Sequence, residues 1–161
     1  MGERKMTVGF VSGCFDWLAP GHVKLFQASK EHCDVLHVLM ADDETVHHYK
    51  GSGRPLLKYA ERGVLMEACT YVDAVHKLRK LPNESNQQHL IETITPDIYI
   101  EGADATDQDI RTLLHVLGIH RVTVAHAFSD LHIRDILRRY DSQRYDQSQR
   151  EFEMLVEVAG L

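Results

Sequence analysis

The sequence predicts an α/β fold, a doubly wound parallel five-stranded sheet with helices on both faces. Three observations carry that prediction. Short apolar runs of strand length alternate along the chain with segments whose apolar residues recur at helical spacing. The first run ends in a glycine turn followed by a Pro-Gly helix start, a strand, turn and helix in succession. At 161 residues the chain has the length of one domain, sufficient for a single core. Strands joined through helices imply a parallel sheet with right-handed crossovers.

The first strand is read over 7–13, where Val8, Phe10 and Val11 run into Ser12-Gly13-Cys14. Phe15-Asp16 follow, and Pro20-Gly21-His22 opens a helix read over 22–31, with Leu25, Phe26 and Ser29 on one face. Pro20 suits a first helical turn, where its missing N–H is no loss, and Gly21 lets a ligand approach the backbone. Such a helix start offers unpaired N–H groups to an anion, and His22 adds a donor. The second strand spans 35–40, and a helix over 59–70 carries Val64, Leu65 and Ala68. The third strand is 74–77, and 80–88, with Pro82-Asn83-Glu84-Ser85-Asn86, reads as a loop rich in turn formers. A helix over 87–95, the fourth strand at 97–101, a helix over 107–117 and the fifth strand at 121–125 complete the sheet. A helix over 133–140 closes a domain of residues 1–140. The tail, 141–161, is charged and then apolar in Met154-Leu155-Val156, as expected of a helix docking its end on the domain or on a partner. Open sheets of this kind bind ligands at the carboxyl ends of their strands, where the strand order reverses. Gly13, Cys14 and 101–104 are expected to converge there.

Composition narrows the function. Hydrophobic residues make up 43% and charged residues 26% of the chain, and no apolar run approaches the roughly 18 residues of a membrane span. The opening MGERKM lacks the apolar core of a signal peptide. Three cysteines, Cys14, Cys33 and Cys69, are odd in number and lack metal-ligand spacing, so free thiols in a reducing cytoplasmic compartment are expected. A net charge of -6 argues against non-specific nucleic-acid binding, which needs clustered Lys and Arg. A nucleotide needs only a local positive pocket.

Gly13-Cys14-Phe15-Asp16, followed by Pro20-Gly21-His22, resembles the signature loop of the cytidylyltransferase-like nucleotidyltransferases, G-x-F-D-x-x-H-x-G-H. Ala19 departs from it, standing where the family has its first histidine. The resemblance continues in order through His48-Tyr49-Lys50-Gly51 with Arg54-Pro55, then Glu61-Arg62, Tyr71-Val72-Asp73 and Gly102-Ala103-Asp104, covering 6–140. It implies a Rossmann-like domain that carries a phosphate monoester onto the α-phosphorus of a nucleoside triphosphate and expels pyrophosphate. It also implies magnesium accompanying the nucleotide and a homodimer. By position, Gly13, Cys14, Phe15, Asp16, Gly21, His22, Arg62, Gly102 and Asp104 match the nucleotide site, with His22 and Lys50 as the catalytic donors. Lys24 stands where some members that use glycerol 3-phosphate also carry a lysine, as a candidate grip on the acceptor phosphate.

Elementary chemistry fits that residue set. A phosphomonoester has a second pKa of about 6, so near neutrality the nucleophile is already ionised and no general base is required. The protein must supply positioning and positive charge. Lys50 is expected in a glycine-flanked loop, Lys50-Gly51-Ser52-Gly53-Arg54, able to fold a cation over a triphosphate. Arg62 after Glu61 would ordinarily be half of a surface ion pair. The family's Ser-Thr-Thr-Asp helix start is replaced by His132-Ile133-Arg134-Asp135, where Ser129-Asp130 is expected to cap the helix and Arg134 to replace the hydroxyl contacts to phosphate with a charged one. The remaining histidines, His32, His37, His47, His76, His89, His115, His120 and His126, lack zinc-type pairing and read as scattered.

Three readings remain open. One is a cytidylyltransferase that uses CTP and glycerol 3-phosphate, phosphoethanolamine or phosphocholine. The second is an ATP-dependent adenylyltransferase on a phosphosugar, because the run from Lys50 to Pro55 also resembles heptose-phosphate adenylyltransferases. The third is a nucleotide-binding module without catalysis, favoured by Ala19 and the altered Ser-Thr motif.

Overall fold

The computed structural model describes residues 4–103, 105 and 107–124. The elements run β1 Val8–Gly13, α1 Pro20–Ser29, β2 Val35–Ala41, α2 Asp43–Lys50, α3 Tyr59–Glu67, β3 Ala74–Leu78, β4 Lys80–Leu81, β5 Glu84–Ser85, α4 Gln87–Ile94, β6 Ile98–Gly102, α5 Gln108–Leu117 and β7 His120–Val124. Five strands form one parallel sheet in the order β3-β2-β1-β6-β7. This is the predicted sheet. The helix read over 133–140 and the tail 141–161 lie outside the described residues.

Alternation along the strands divides the core in two. Val11, Leu36, Val38, Met40 and Ile100 pack with Phe26 of α1 and Met66 of α3 on one face. Phe10, Leu39 and Tyr99 pack with Ile91 of α4 and Ile110 and Leu114 of α5 on the other. A strand buried on both faces carries apolar residues at successive positions, so these runs lack the polar alternation of a half-exposed strand. Among the described residues no helix is long and apolar enough to cross a membrane.

Three aspartates pin the strand starts. Each sits one residue before a strand and accepts the backbone N–H of a neighbouring strand's entry. Asp34 takes Thr7 at 2.7 Å, Asp73 takes Leu36 at 2.7 Å and Asp97 takes Val8 at 2.9 Å. Lysines back two of them, Lys30 at Asp73 and Lys5 at Asp97, both at 2.7 Å. A parallel ladder lacks the tight hairpin that fixes register in antiparallel pairs. These carboxylates supply an anchor at the strand entries instead.

Two elements differ from the sequence reading. Residues 43–50 form α2 and Lys50 is its last residue, where a loop was expected. The helix has little apolar periodicity, with Thr45 and Val46 as its buried residues. Its end signals are nonetheless in the sequence. Asp42 caps the Thr45 N–H at 2.9 Å, acids fill the first turn, bases the last, and Gly51 ends it at φ 89. Within 80–88 the turn-rich stretch closes a two-residue hairpin, β4 on β5, before α4 begins.

The third departure is Arg62. Glu61 does not pair with it but caps α3, accepting the Lys58 N–H at 2.7 Å. The Arg62 side chain is 1% exposed, among the most buried of the large side chains. Its Nη1 donates to the carbonyls of Cys14 at 2.6 Å and Ala41 at 2.8 Å, its Nε to Leu57 at 3.0 Å, and its Nη2 to Asp43 at 2.8 Å. One guanidinium therefore ties together the chain leaving β1, the end of β2, the first turn of α2 and the entry to α3. Replacing Arg62 with Met leaves several carbonyls without donors, and denaturant unfolding is expected to record a loss of about 3–5 kcal/mol. A loss under about 1 kcal/mol would show that water replaces the guanidinium.

Acid should unfold the sheet through its aspartates. Burial works against the Asp73 charge, but the Leu36 N–H and Lys30 outweigh it and hold the carboxyl below its usual range. Lys5, then the Val8 N–H, do the same for Asp97. With folded pKa values below the unfolded ones, this stabilisation is complete above about pH 4 and is lost as pH falls through the folded values. Asp73→Asn is expected to cost about 1 kcal/mol in urea unfolding at pH 7 and markedly less at pH 3. An equal cost at both would assign the loss to packing.

Candidate active site

Strand order reverses at β1, which pairs with β2 on one side and β6 on the other. The β1–β2 ladder continues to Gly13↔Met40 and the β6–β7 ladder to Gly102↔Val124. Between β1 and β6 the pairing is Gly9↔Ile98 and Phe10↔Tyr99, and both strands then run on without further register. The sheet opens there toward its carboxyl end. Gly13 and Gly102 close the two lips of that crevice, where the sequence places them. Ser12 Oγ and Tyr99 OH meet across it at 3.4 Å, and burial pushes the Tyr99 phenol up to about 12.

The turn after β1 is sharply shaped. Phe15 adopts φ 43, left-handed backbone that a bulky residue seldom takes. That geometry folds its ring inward against Phe26 at 5.4 Å and edge-on to His22 at 5.3 Å. The ring lies under Gly13, where a Cβ would meet it at 3.0 Å. Phe15 is 6% exposed, so contact with a ligand from this residue falls to its main chain. Burial pushes the Cys14 thiol up, while Lys50 and Arg62 pull it down, which places both cations within electrostatic reach of the turn.

Asp16 is 7% exposed and both its oxygens are engaged. Oδ2 accepts Arg54 Nη1 at 2.5 Å, and Oδ1 accepts the N–H groups of Leu56 at 2.5 Å and Leu57 at 3.4 Å. Arg54 is a residue that sequence reasoning left without a role. The Arg54-Pro55 dipeptide was in view, but its partner lies 38 positions away.

Ala19 is the N-cap of α1 and is 3% exposed. Alanine cannot accept the hydrogen bond that Ser, Thr, Asp or Asn would take at that position. His22, at N3, supplies the reciprocal contact, its Nδ1 accepting the Ala19 N–H at 3.1 Å. An accepting Nδ1 carries no proton, so the neutral imidazole holds its proton on Nε2. Gly21 is buried in the same turn. Lys24, one residue beyond this first turn, reaches neutral Gln27 at 2.9 Å and has no carboxylate partner among the described residues.

On the β6 side, Gly102 accepts the Ala105 N–H at 3.0 Å, closing the turn toward α5. Arg111 from α5 donates to the Ala105 carbonyl at 2.8 Å and reaches buried Glu101 at 3.2 Å. Lys80 meets both oxygens of Asp107, the α5 cap, at 2.7 Å. Glu101 stands at the strand end where 101–104 were expected, while Arg111 and Lys80 are further residues that sequence reasoning missed, since each reads locally as a solvated charge. Asp104 and Arg134 lie outside the described residues. Among the described residues no group of three or more His, Cys, Asp or Glu is placed to hold a metal. His37 and His76, read as scattered, in fact stack across β2 and β3 with Nδ1 and Nε2 2.7 Å apart, and burial pushes both below the usual histidine range.

Comparison with known proteins agrees with this architecture. The Bifunctional protein HldE of Mesorhizobium japonicum is 39% identical over 104 residues, 65% of this chain and 20% of the relative. That of Nitrobacter hamburgensis is 33% identical over 140 residues, 87% of this chain and 26% of the relative. The chain thus spans about a quarter or less of the length of these curated relatives. A lipopolysaccharide core biosynthesis protein from Thermoplasma volcanium GSS1 shares the fold, with a TM-score of 0.61 at 23% identity over 76% of this chain and 98% of that one. A family model described as cytidylyltransferase-like matches residues 10–148, and with the opened sheet, the glycine turn and the histidine-bearing helix start in place, the chain belongs to the cytidylyltransferase-like nucleotidyltransferase family.

Proposed function

We propose that the chain transfers the AMP group of ATP to the phosphate of a phosphosugar such as heptose 1-phosphate, releasing pyrophosphate. The observation that carries the substrate class is the kinship with HldE, which favours this reading over a CTP-dependent one. The run from Lys50 to Pro55, which resembles heptose-phosphate adenylyltransferases, supports the same choice. Lys24 favours a second reading, a cytidylyltransferase acting on a small phosphorylated alcohol such as glycerol 3-phosphate, because its neutral Gln27 partner leaves a cation for an acceptor phosphate.

The acceptor's phosphate oxygen attacks the α-phosphorus and the bond to the pyrophosphate breaks. The acceptor arrives ionised, so no residue need take a proton from it. His22 would donate Nε2–H to an α-phosphate oxygen or the bridging oxygen, where charge grows in the transition state. Lys50, at the end of α2, would meet the outer phosphates, and the backbone of Gly13, Cys14 and Gly21 would allow close approach. Gly102 and Asp104 would meet the nucleoside and Arg134 the triphosphate. Magnesium would come with the nucleotide and shield the leaving pyrophosphate.

Thermal unfolding with ATP or CTP, each with magnesium, tests the nucleotide. A ligand that binds the native state at 100 times its Kd adds about 2.7 kcal/mol of apparent stability. ATP is expected to raise Tm and CTP to raise it less. The reverse order would favour the cytidylyltransferase, and no shift with either would support the non-catalytic module.

Ala19 tests catalysis itself. A histidine here would add a second donor beside the reacting phosphates, an interaction that can be worth about 10²–10³ in rate. Ala19→His is expected to raise turnover at least about tenfold with nucleotide affinity changed far less. Because the position is 3% exposed, the larger ring should also lower Tm by overpacking. If neither parent nor variant turns over heptose phosphate or the phosphoalcohols with either nucleotide, the binding module becomes the better reading.

A further inference from the structure

Asp16 matches the aspartate of the signature loop, yet its surroundings are unlike those of a nucleotide contact. An unneutralised carboxylate beside a triphosphate is repelled by it. Here the carboxylate faces the segment 54–57 instead, paired with Arg54 and accepting the Leu56 and Leu57 N–H groups. Arg62 grips the same segment from the other direction through the Leu57 carbonyl at 3.0 Å, and holds the Cys14 carbonyl at 2.6 Å. The turn after β1 and the entry to α3 are therefore fastened twice, once by a buried anion and once by a buried cation.

What lies between the fastening and Lys50 is loosely packed. Gly51 and Gly53 have φ of 89 and 79, and a Cβ built on either would meet nothing within 4 Å. Positive φ at two glycines in three residues gives a strap with little stiffness of its own. Its resting place depends on its two ends, α2 on one side and Arg54 on the other.

We propose that Asp16 is a positioning residue for the triphosphate. It acts through Arg54 and the 54–57 backbone, seating the glycine strap and Lys50 beside the β1 turn, and it does not touch the nucleotide. This rests on the nucleotidyltransferase reading.

The test uses Asp16→Ala, Asp16→Asn, Arg54→Gln and the double variant Asp16→Asn with Arg54→Gln, in the full chain, with melting curves as the fold control. Without nucleotide, amide exchange at Leu56 and Leu57 is expected to accelerate about tenfold or more in Asp16→Ala, since a charge-assisted acceptor is lost. If that variant melts below the assay temperature, Asp16→Asn takes its place. With magnesium and ATP, each single substitution is expected to raise KM about fivefold or more while kcat changes less. The double variant should be no worse than the more damaging single one, because both remove the same contact. Effects that multiply in the double variant would overturn the proposal and give Asp16 its own contact with the nucleotide. Unchanged exchange at Leu56 and Leu57 would equally overturn it. Should the parent chain bind neither nucleotide, the proposed function fails and the exchange result alone decides whether Asp16 seats the strap.

Discussion

The carboxyl end of the sheet depends on one buried guanidinium. A parallel sheet leaves its strands by separate loops, and nothing in the ladder prescribes how those loops sit relative to one another. Arg62 prescribes it by donating to the main chain after β1, to the last residue of β2 and to the segment entering α3, with Asp43 balancing its charge. Burying such a cation is costly unless its donors are met. Each acceptor is therefore as necessary to Arg62 as Arg62 is to the loops. The three loops can shift only together, which is the property a site needs if it is to hold a triphosphate by backbone contacts.

The opposite end of the sheet is held by another device. Asp34, Asp73 and Asp97 each reach sideways to a neighbouring strand's entry. Anchoring at the amino ends leaves the carboxyl ends able to diverge, and β1 and β6 do so beyond Phe10 and Tyr99. The crevice is thus a consequence of where the sheet is tied. Strain collects on the same side, in the left-handed backbone of Phe15, and packing of its ring against Phe26 offsets it.

Much of this was legible in the sequence and some was not, for physical reasons. The alternation of strands and helices is a signal repeated along the whole chain, so the sheet and both helical layers follow from it. α2 was hidden because a short helix that buries Thr45 and Val46 leaves hardly any apolar stripe, although its caps were readable. Arg62 was matched to the nucleotide site, with a surface pair to Glu61 as its ordinary local reading, whereas its donors meet protein acceptors that lie 5 to 48 positions away. Asp16 and Arg54 pose the same difficulty. A motif reports that residues recur together, but not whether a side chain faces the ligand or the protein. The stacking of His37 on His76 lay beyond sequence for a related reason, since register between β2 and β3 decides it.

Charge placement shows how a chain of net charge -6 can still receive an anion. Several carboxylates at the carboxyl end of the sheet are matched by arginines: Asp16 by Arg54, Asp43 by Arg62, and Asp42 by Arg79, which also holds Glu44 and Glu84. Arginine suits this work because its fork can satisfy several acceptors at fixed geometry. Among the described residues Lys24 and Lys50 have no carboxylate partner, so no acid there offsets their charge. The acid on this side is spent within the protein, on arginines and on Lys80, while Lys24 and Lys50 are not. Net charge therefore says little about the site, because the field a phosphate meets is set by which cations the fold has left uncompensated within a Debye length.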